Sequence, residues 1–430
     1  TTYAGLTPSC CIERLFFLAH PWRWLLLNRD DNSSFLHMTG FTREAFNMLL
    51  EDLFVMRRHN RRQIYHRKRR GRPPLLATED QLGLILFYFG STMTMRFLCM
   101  IFGITPSVCS RALRHMLKRI AKTLRMHPWS RVKFPDVDKM REYAAMIEAR
   151  EPSVDDVIGF MDGVSFSSEC SDERVEQNAF YCGYDSDTMV NNVFAYGPDG
   201  KVFFAAINFP GSWADGALTA RILASIRSRI GSYKICVDQG FPRSGDAFGI
   251  LVGPVTKRAA RRLHRDLRDY YLRVSNVHTS LRQASEWGMR GLQRTFPRCK
   301  KRLPSDSVKR RLVIEGIILV HNHRTHTVGQ NQIKAVFDSE YARVVNLEGY
   351  DCISQYYFRP GDYNTDSNDE DNGDDTGGSG GGDGGSGDGG CDGSGSGNGS
   401  DNEGNHNNQL KAERKGGGGD DCDDGDDGNG

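Results

Sequence analysis

The sequence contains no pair of cysteines at the C-x-x-C spacing, although it has 11 cysteines. This scatter excludes a simple zinc-finger arrangement, and a chain of 430 residues does not need disulfides to be stable. Long apolar runs are also lacking. The stretch from residue 15 to residue 27 is interrupted by His20, Pro21 and Arg23, and neither a signal peptide nor a membrane span is evident. We therefore expect a protein of a reducing, intracellular compartment that has no membrane partner.

A large net charge is absent as well, because the formal charge is only +2, but the charges are unevenly distributed. Residues 361–430 hold 19 acidic and 3 basic side chains, which leaves 35 acidic and 53 basic ones in the preceding 360 residues. The body therefore carries +18 and the tail −16. A body of this charge favours nucleic acid as the partner, and the alternatives are a merely basic soluble protein or one that binds acidic membranes.

Composition and hydrophobic spacing divide the chain into five segments. They are an N-terminal helical region (1–56), a basic linker (57–74), a second helical region (75–150), a region of alternating strands and helices (151–350) and an acidic Gly- and Asp-rich tail (351–430). The tail has almost no aliphatic residues after Tyr363, so we expect it to be disordered. It is either a solvating appendage or a segment that shields a basic DNA-binding surface.

The second helical region carries the signals of a helix-turn-helix. Gly103 suits the position after one helix, Thr105 the N-cap of the next, and Pro106 its first residue. A basic helix after such a short turn is typical of DNA recognition, and the alternative is an ordinary α-hairpin with a solvated basic face. The candidate DNA contacts on this helix are Arg111, Arg114 and Lys118.

The basic linker contains an R-G-R-P sequence at residues 70–73, and this sequence resembles an AT-hook. An extended Gly-Arg-Pro segment fits a narrow minor groove, whose potential attracts arginine, so Arg69, Arg70 and Arg72 are candidate DNA contacts. The same run would serve as a nuclear localisation signal, and we expect a nuclear protein, with shuttling from the cytoplasm as a further option. The alternative is a flexible linker that contacts phosphates without specificity.

Two short apolar strands are predicted to end in an aspartate. Residues 157–161 precede Asp162 and residues 233–237 precede Asp238, with a hairpin and a helix between them. In a ribonuclease H-like sheet these two strands are neighbours, which would bring the two carboxylates together. Such a pair is unfavourable unless a cation lies between its members, and Mg²⁺ is the foremost hard cation with oxygen ligands.

Glu286 is the candidate third ligand. It lies on a helix predicted to begin near residue 276, off the apolar stripe and one turn from Arg282 and Arg290. A surface ion pair at i,i+4 spacing would be the structural alternative. Asp215 competes for a metal position, but an acid at a helix start also serves as an N-cap or a partner of the helix dipole. We therefore expect Asp215 to support a metal ligand or to stabilise the helix start, with direct binding of the metal as the alternative.

Several motifs follow one another in fixed order between residues 157 and 337. They are M-D-G (161–163), P-G-S-W-A-D (210–215), V-D-Q-G-F-P (237–242), S-L-R-Q-A-S-E-W-G (280–288), N-H-R-T (322–325) and V-G-Q-N-Q (328–332). In these motifs the segment resembles the catalytic domain of PIF/Harbinger-type transposases. The helices upstream, from about residue 35, fit the same family.

The resemblance implies that Asp162, Asp238 and Glu286 form a D-D-E triad, with 47 residues between the last two. It implies an α/β protein, with a ribonuclease H-like mixed sheet after an all-α helix-turn-helix region and before the disordered tail. It further implies two Mg²⁺ or Mn²⁺ ions, DNA cleavage at terminal inverted repeats and strand transfer into target DNA. The implied partners are transposon ends, target DNA, further copies of the chain on DNA and a Myb-like accessory protein.

Two other functions stay open beside transposition. One is a host-co-opted descendant that binds DNA without transposing, and the other is a plain metal-dependent nuclease. In each case Arg282 and Arg290 are expected to contact DNA phosphates. His321, His323 and His326 resemble a metal-binding tract, but no matching cysteines accompany them, so we do not expect zinc there.

Overall fold

The structure, a computed structural model, describes residues 21–28, 31–54, 75–254, 261 and 264–338. The chain divides into a unit of residues 1–360 and a unit of residues 361–430, and every described residue belongs to the first. The predictions for the basic linker with Arg69, Arg70 and Arg72, and for the acidic tail, lie outside the described residues.

Among the described residues before position 157, the regular secondary structure is entirely helical. They are α1 (Pro21–Leu27), α2 (Asn32–Thr39), α3 (Arg43–Phe54), α4 (Thr78–Phe89), α5 (Met95–Phe102), α6 (Pro106–Leu124) and α7 (Val137–Arg150). Helices α3, α4 and α5 all pack against α6. A buried tryptophan, Trp22, fixes α1 to this group by donating a hydrogen bond from its indole nitrogen to Asp80, 3.0 Å away.

The turn between α5 and α6 has the residues that the sequence predicts for it. Gly103 adopts a φ of 60°, which favours glycine, and its N–H bonds the last carbonyls of α5. Thr105 is the N-cap of α6 and Pro106 its first residue. The axes of the two helices differ by 96°. Among the described residues no single helix is long and apolar enough to cross a membrane, and this bent pair alone meets the criterion by length and composition.

A six-stranded mixed sheet follows, with further helices around it. The strands are β1 (Val157–Ser167), β2 (Tyr181–Cys182), β3 (Asp187–Tyr196), β4 (Val202–Pro210), β5 (Lys234–Val237) and β6 (Leu251–Val252). The helices are α8 (Arg174–Phe180), α9 (Asp215–Ile230), α10 (Arg265–Thr295), α11 (Ser307–Thr327) and α12 (Gln332–Phe337). The strand order is β2-β3-β1-β5-β6, and β4 also pairs with β3.

Strand β1 lies between an antiparallel and a parallel neighbour. It pairs with β3 from Phe160 to Ser167, but its parallel pairing with β5 ends at Met161, opposite Val237. Asp162 therefore lies inside β1 and not at its end, which corrects the sequence prediction. The strand continues because the antiparallel ladder to β3 still satisfies its backbone groups after β5 has ended. The result is an α/β domain with a mixed sheet, in which both parallel and antiparallel pairs occur, and this is consistent with a ribonuclease H-like domain.

The two faces of the sheet are covered by different helices. Alternate residues of β3 point to opposite sides, so Phe194 and Tyr196 join one core while Val193 and Ala195 join the other. The first core also contains buried side chains of α4, α6 and α11, and the second contains Met140 and Tyr143 of α7 and the buried side chains of α9. The helical region and the sheet thus share one continuous apolar core.

Helix α11 connects these regions through buried polar side chains, because it packs against α6 and against β4. The side-chain amide of Asn322 accepts from the N–H of Val202 at 2.8 Å and donates to its carbonyl at 2.9 Å. Arg324 donates from Nε to the carbonyl of Gly40, 2.7 Å away. The N-H-R-T motif therefore holds together three parts of the fold: β4, the chain after α2, and α11 itself.

Candidate active site

Asp162 and Asp238 each follow directly on the last paired residues of the neighbouring strands β1 and β5, Asp162 within β1 and Asp238 just after the end of β5. Met161 and Val237 are the last register partners of β1 and β5, and each is followed directly by its aspartate. The adjacent strands of a sheet lie roughly 4.8 Å apart, so consecutive positions on them place their side chains close together. The structure thus brings together the two aspartates that the sequence singles out.

Helix α10 places Glu286 close to Asp238, near the end of β5. Its buried residues Leu281, Ala284 and Leu292 pack against the core, while Glu286 lies on the more exposed side with 40% of its side chain accessible. The helix begins at Arg265, well before the predicted start near residue 276. Gly288 allows a close approach, because a Cβ there would lie 2.9 Å from the buried ring of Tyr196.

Arg282 connects two of the three carboxylates. Its Nη1 donates to Oδ1 of Asp238 at 3.0 Å, and its Nη2 lies 2.8 Å from Oε1 of Glu286. The guanidinium therefore provides positive charge between two acidic groups that would otherwise repel each other. This contact includes the i,i+4 ion pair considered for Glu286 from the sequence. The expected contact of Arg282 with a DNA phosphate stays a prediction.

The electrostatics of Asp162 reflect the same crowding. Burial is the largest influence and raises the pKa of Asp162 to about 6, with the negative charges of Asp238 and Glu286 acting in the same direction. The N–H of Gly163, which donates to Oδ1 of Asp162 at 2.8 Å, and the positive charge of Arg282 lower that pKa. A bound cation would stabilise the ionised form of this carboxyl, because it would offset both the cost of burial and the repulsion by the neighbouring acids.

The acidic triad fits divalent metal ions by its chemistry. Three carboxylates supply only oxygen atoms, the ligands that Mg²⁺ and Mn²⁺ prefer. The raised pKa of Asp162 and the arginine held between Asp238 and Glu286 both indicate an excess of negative charge at this edge. Asp162, Asp238 and Glu286 are therefore the candidate ligands for such ions.

The other predicted site residues lie in different places. Asp215 is the first residue of α9, after the N-cap Ala214, and its side chain is outside the described part of the structure. Whether Asp215 supports a metal ligand, stabilises the helix start or binds the metal directly stays a prediction. Arg290 is exposed on α10, one turn after Glu286.

The predicted DNA contacts on α6 share one face of that helix. Arg111, Arg114 and Lys118 are all exposed, at the i, i+3 and i+7 spacing that aligns side chains on a helix. No described acidic residue forms an ion pair with any of the three. The opposite face of α6 is buried in the core that the sheet shares. The positive charges are therefore available to an anionic partner.

Comparison with known proteins supports a nuclease class for this segment. Residues 161–322 match the family model described as DDE superfamily endonuclease, a range that includes Asp162, Asp238 and Glu286. The match supports a transposase-derived nuclease with a metal-dependent active site and DNA as its substrate. No curated protein and no solved structure matches the chain significantly.

Sequence reasoning missed two arrangements. The first is the double contact of Arg282, whose only sequence signal is its i,i+4 spacing to Glu286. The second is a group formed by Asp52, His127 and His323, which could also hold a metal ion. These three residues are far apart in the chain, and no local pattern relates them.

Proposed function

We propose that this protein is a DNA transposase that cleaves DNA at terminal inverted repeats and transfers the freed strand into target DNA. The observation that carries the proposal is the placement of Asp162 and Asp238 directly after the last register pair of β1 and β5, with Glu286 joined to Asp238 through Arg282. The match to a DDE superfamily endonuclease over the same residues supports it.

The proposed reaction uses a pair of Mg²⁺ or Mn²⁺ ions. Bound ions would activate a water or a DNA 3′-hydroxyl for attack on phosphorus and would stabilise the leaving oxygen. The chain's own carboxylates act as ligands. Arg282 partly offsets the charges of Asp238 and Glu286, and its guanidinium would also be able to pair with a phosphate of the substrate.

The proposed DNA path extends from this edge to the exposed face of α6. Arg111, Arg114 and Lys118 supply phosphate or base contacts, and Arg290 adds a positive charge beside the active site. A nuclear location, assembly of several copies on paired DNA ends and a Myb-like accessory partner belong to the same proposal. The nuclear location rests on the basic linker sequence, and the other two rest on the family resemblance.

The test uses the full chain, Mn²⁺ or Mg²⁺, a supercoiled plasmid and a labelled duplex that has a free 3′-hydroxyl. The duplex is chosen from a random-sequence library by its binding to the chain. We expect metal-dependent nicks and covalent joining of the label to the plasmid. Nicks without joined product would indicate a plain nuclease, and DNA binding without nicks would indicate a co-opted binding protein.

The triad is tested with Asp162→Asn, Asp238→Asn and Glu286→Gln. Each substitution keeps the side-chain shape but removes the charge that holds the ions, so cleavage should fall to the level of a reaction without metal. DNA binding, measured by fluorescence anisotropy in EDTA, should persist. Asp246→Asn is the matched control, because Asp246 is an exposed aspartate that pairs with Arg227 outside the triad. Undiminished cleavage in any triad variant would contradict the assignment.

A further inference from the structure

A second group of ligand atoms lies on elements that carry none of the three active-site carboxylates. Asp52 belongs to α3, His127 follows α6, and His323 belongs to α11. Oδ2 of Asp52 lies 2.9 Å from Nε2 of His323 and 3.3 Å from Nε2 of His127. In the part of the chain that the structure describes, no other three His, Cys, Asp or Glu residues bring their ligand atoms within 4.8 Å of one another.

The separations between these atoms suit a tetrahedral ion. Zinc binds imidazole nitrogen and carboxylate oxygen at about 2.0–2.1 Å, and tetrahedral angles then place two ligand atoms roughly 3.3 Å apart. The separation between Asp52 and His127 has this value, and the one between Asp52 and His323 is slightly shorter. The ligand atoms of all three residues lie within 4.8 Å of one another, a range that one ion could bridge after adjustment of the side chains.

The surroundings favour a fixed site. The side chain of His323 is fully buried and that of His127 is 7% exposed, whereas 19% of the Asp52 side chain remains accessible. The ring of Trp129 covers both histidines, with centroids 5.2 Å and 6.0 Å away. Asp52 is the most exposed of the three side chains, so a water molecule could occupy a fourth ligand position on its side. Three protein ligands and one water form a common zinc coordination.

The position of His127 is further supported by a neighbour. Oγ of Ser130 lies 3.5 Å from Nδ1 of His127, on the ring edge opposite Asp52. A partner on the second ring nitrogen is the usual way in which proteins orient a metal-binding histidine. The other two histidines of the tract for which the sequence did not predict zinc have different neighbours. His321 lies beside Tyr196, and His326 stacks on Trp129 at 4.4 Å.

We propose that Asp52, His127 and His323 bind one Zn²⁺ ion, or an ion of the same transition-metal class, that cross-links α3 and α11 to the segment after α6. Two imidazoles and one carboxylate select for such ions against Mg²⁺, whereas the all-oxygen triad selects for Mg²⁺ or Mn²⁺. The chain would then carry two chemically distinct metal sites. The zinc would anchor the basic helix α6 to the helix that packs against the sheet.

The test measures zinc stoichiometry on the full chain, by elemental analysis after dialysis and by titration calorimetry. We compare the wild-type protein with Asp52→Asn, His127→Gln and His323→Gln. The wild type should bind one equivalent of zinc that each variant loses or binds on the order of 100-fold more weakly, because loss of a ligand should cost at least as much as loss of a residue that orients one. Co²⁺ in place of zinc should give the intense visible absorption of tetrahedral coordination in the wild type alone.

Two controls separate this site from other possibilities. His326→Ala removes a nearby histidine of the same helix and should leave the zinc equivalent unchanged. Asp162→Asn should also retain it, so the zinc site is judged independently of the proposed transposase activity. Circular dichroism confirms that each variant is folded, and Asp52→Asn retains the side-chain shape. Equal zinc content in the wild type and in all three ligand variants would overturn the proposal, and so would a wild type that binds no zinc. The contact would then be a hydrogen-bonded His-Asp-His group.

Discussion

Asp162 illustrates how a residue suited to metal binding weakens the fold that carries it. Its pKa is raised to about 6, chiefly by burial, whereas an unperturbed aspartate has a pKa of 3.8. At neutral pH the ionised side chain is therefore less favourable in the folded state than in the unfolded state. The folded protein binds the proton more tightly, so stability rises as the pH falls from above 6 towards 4.

Replacement of this charge should stabilise the metal-free protein. In EDTA at pH 7.5, Asp162→Asn should raise the free energy of unfolding by about 2 kcal/mol, because asparagine carries no charge to bury. The advantage should shrink as the pH falls through 6 and vanish near pH 4, where Asp162 is protonated. Denaturant titrations at several pH values measure this, with Asp246→Asn as the exposed control. An advantage that does not depend on pH would contradict the explanation.

Saturating Mg²⁺ should reverse the order of stability. Ions that bind the folded wild type stabilise it by mass action, whereas the asparagine variant has lost a ligand and gains less. Thermal unfolding with and without Mg²⁺ measures the difference. An equal shift of the melting temperature in both proteins would show that the ions do not bind through Asp162.

At the scale of the element, α10 decides where Glu286 lies. The sequence predicts its apolar stripe correctly, since Leu281 and Leu292 are buried as expected. The predicted start near residue 276 is wrong, because Leu267, Tyr270, Tyr271 and Val274 already have helical spacing before it. The sequence prediction also fails for Asp162, where the apolar run ends but β1 continues. Strand length there depends on pairing with β3, a partner distant in sequence.

Two glycines of α10 should respond in opposite ways to alanine. Gly288→Ala places a methyl group 2.9 Å from Tyr196, whose ring is buried and cannot move aside, so we expect destabilisation by about 1–3 kcal/mol and weaker metal-dependent cleavage. Gly291→Ala meets nothing within 4 Å and should stabilise the helix by roughly 0.5–1 kcal/mol. Chemical denaturation of both variants measures the contrast, which is expected only if α10 packs this closely on β3.

At the scale of the whole molecule, basic and acidic residues are concentrated in different segments of the sequence. The sequence shows this separation directly, and the structure adds that Arg111, Arg114 and Lys118 lie on one exposed face while the opposite face of α6 is buried. The Asp52, His127 and His323 group could not be foreseen. Its members are brought together only when α3, α6 and α11 pack around the shared core.

The α6 face should contribute measurably to DNA affinity. Changing Arg111, Arg114 and Lys118 together to alanine should reduce the slope of log affinity against log salt by up to about 2.7, because each phosphate contact contributes about 0.9. The control triple variant changes Lys133, Lys139 and Arg141, whose charges are already paired with Asp136, Glu142 and Asp138. Its slope should stay near the wild-type value. Equal slopes for the wild type and the α6 variant would exclude this face from the DNA path.

The pairing of Asn322 with Val202 has a consequence for assembly. An outer strand normally exposes unpaired N–H and C=O groups, to which a strand of another molecule can add. Here the side-chain amide occupies both groups of Val202 in β4, as a residue of an incoming strand would do. Another copy could not continue the sheet at this position without displacing α11. Any assembly of copies of the chain is therefore not expected to form by adding a strand to β4 at Val202.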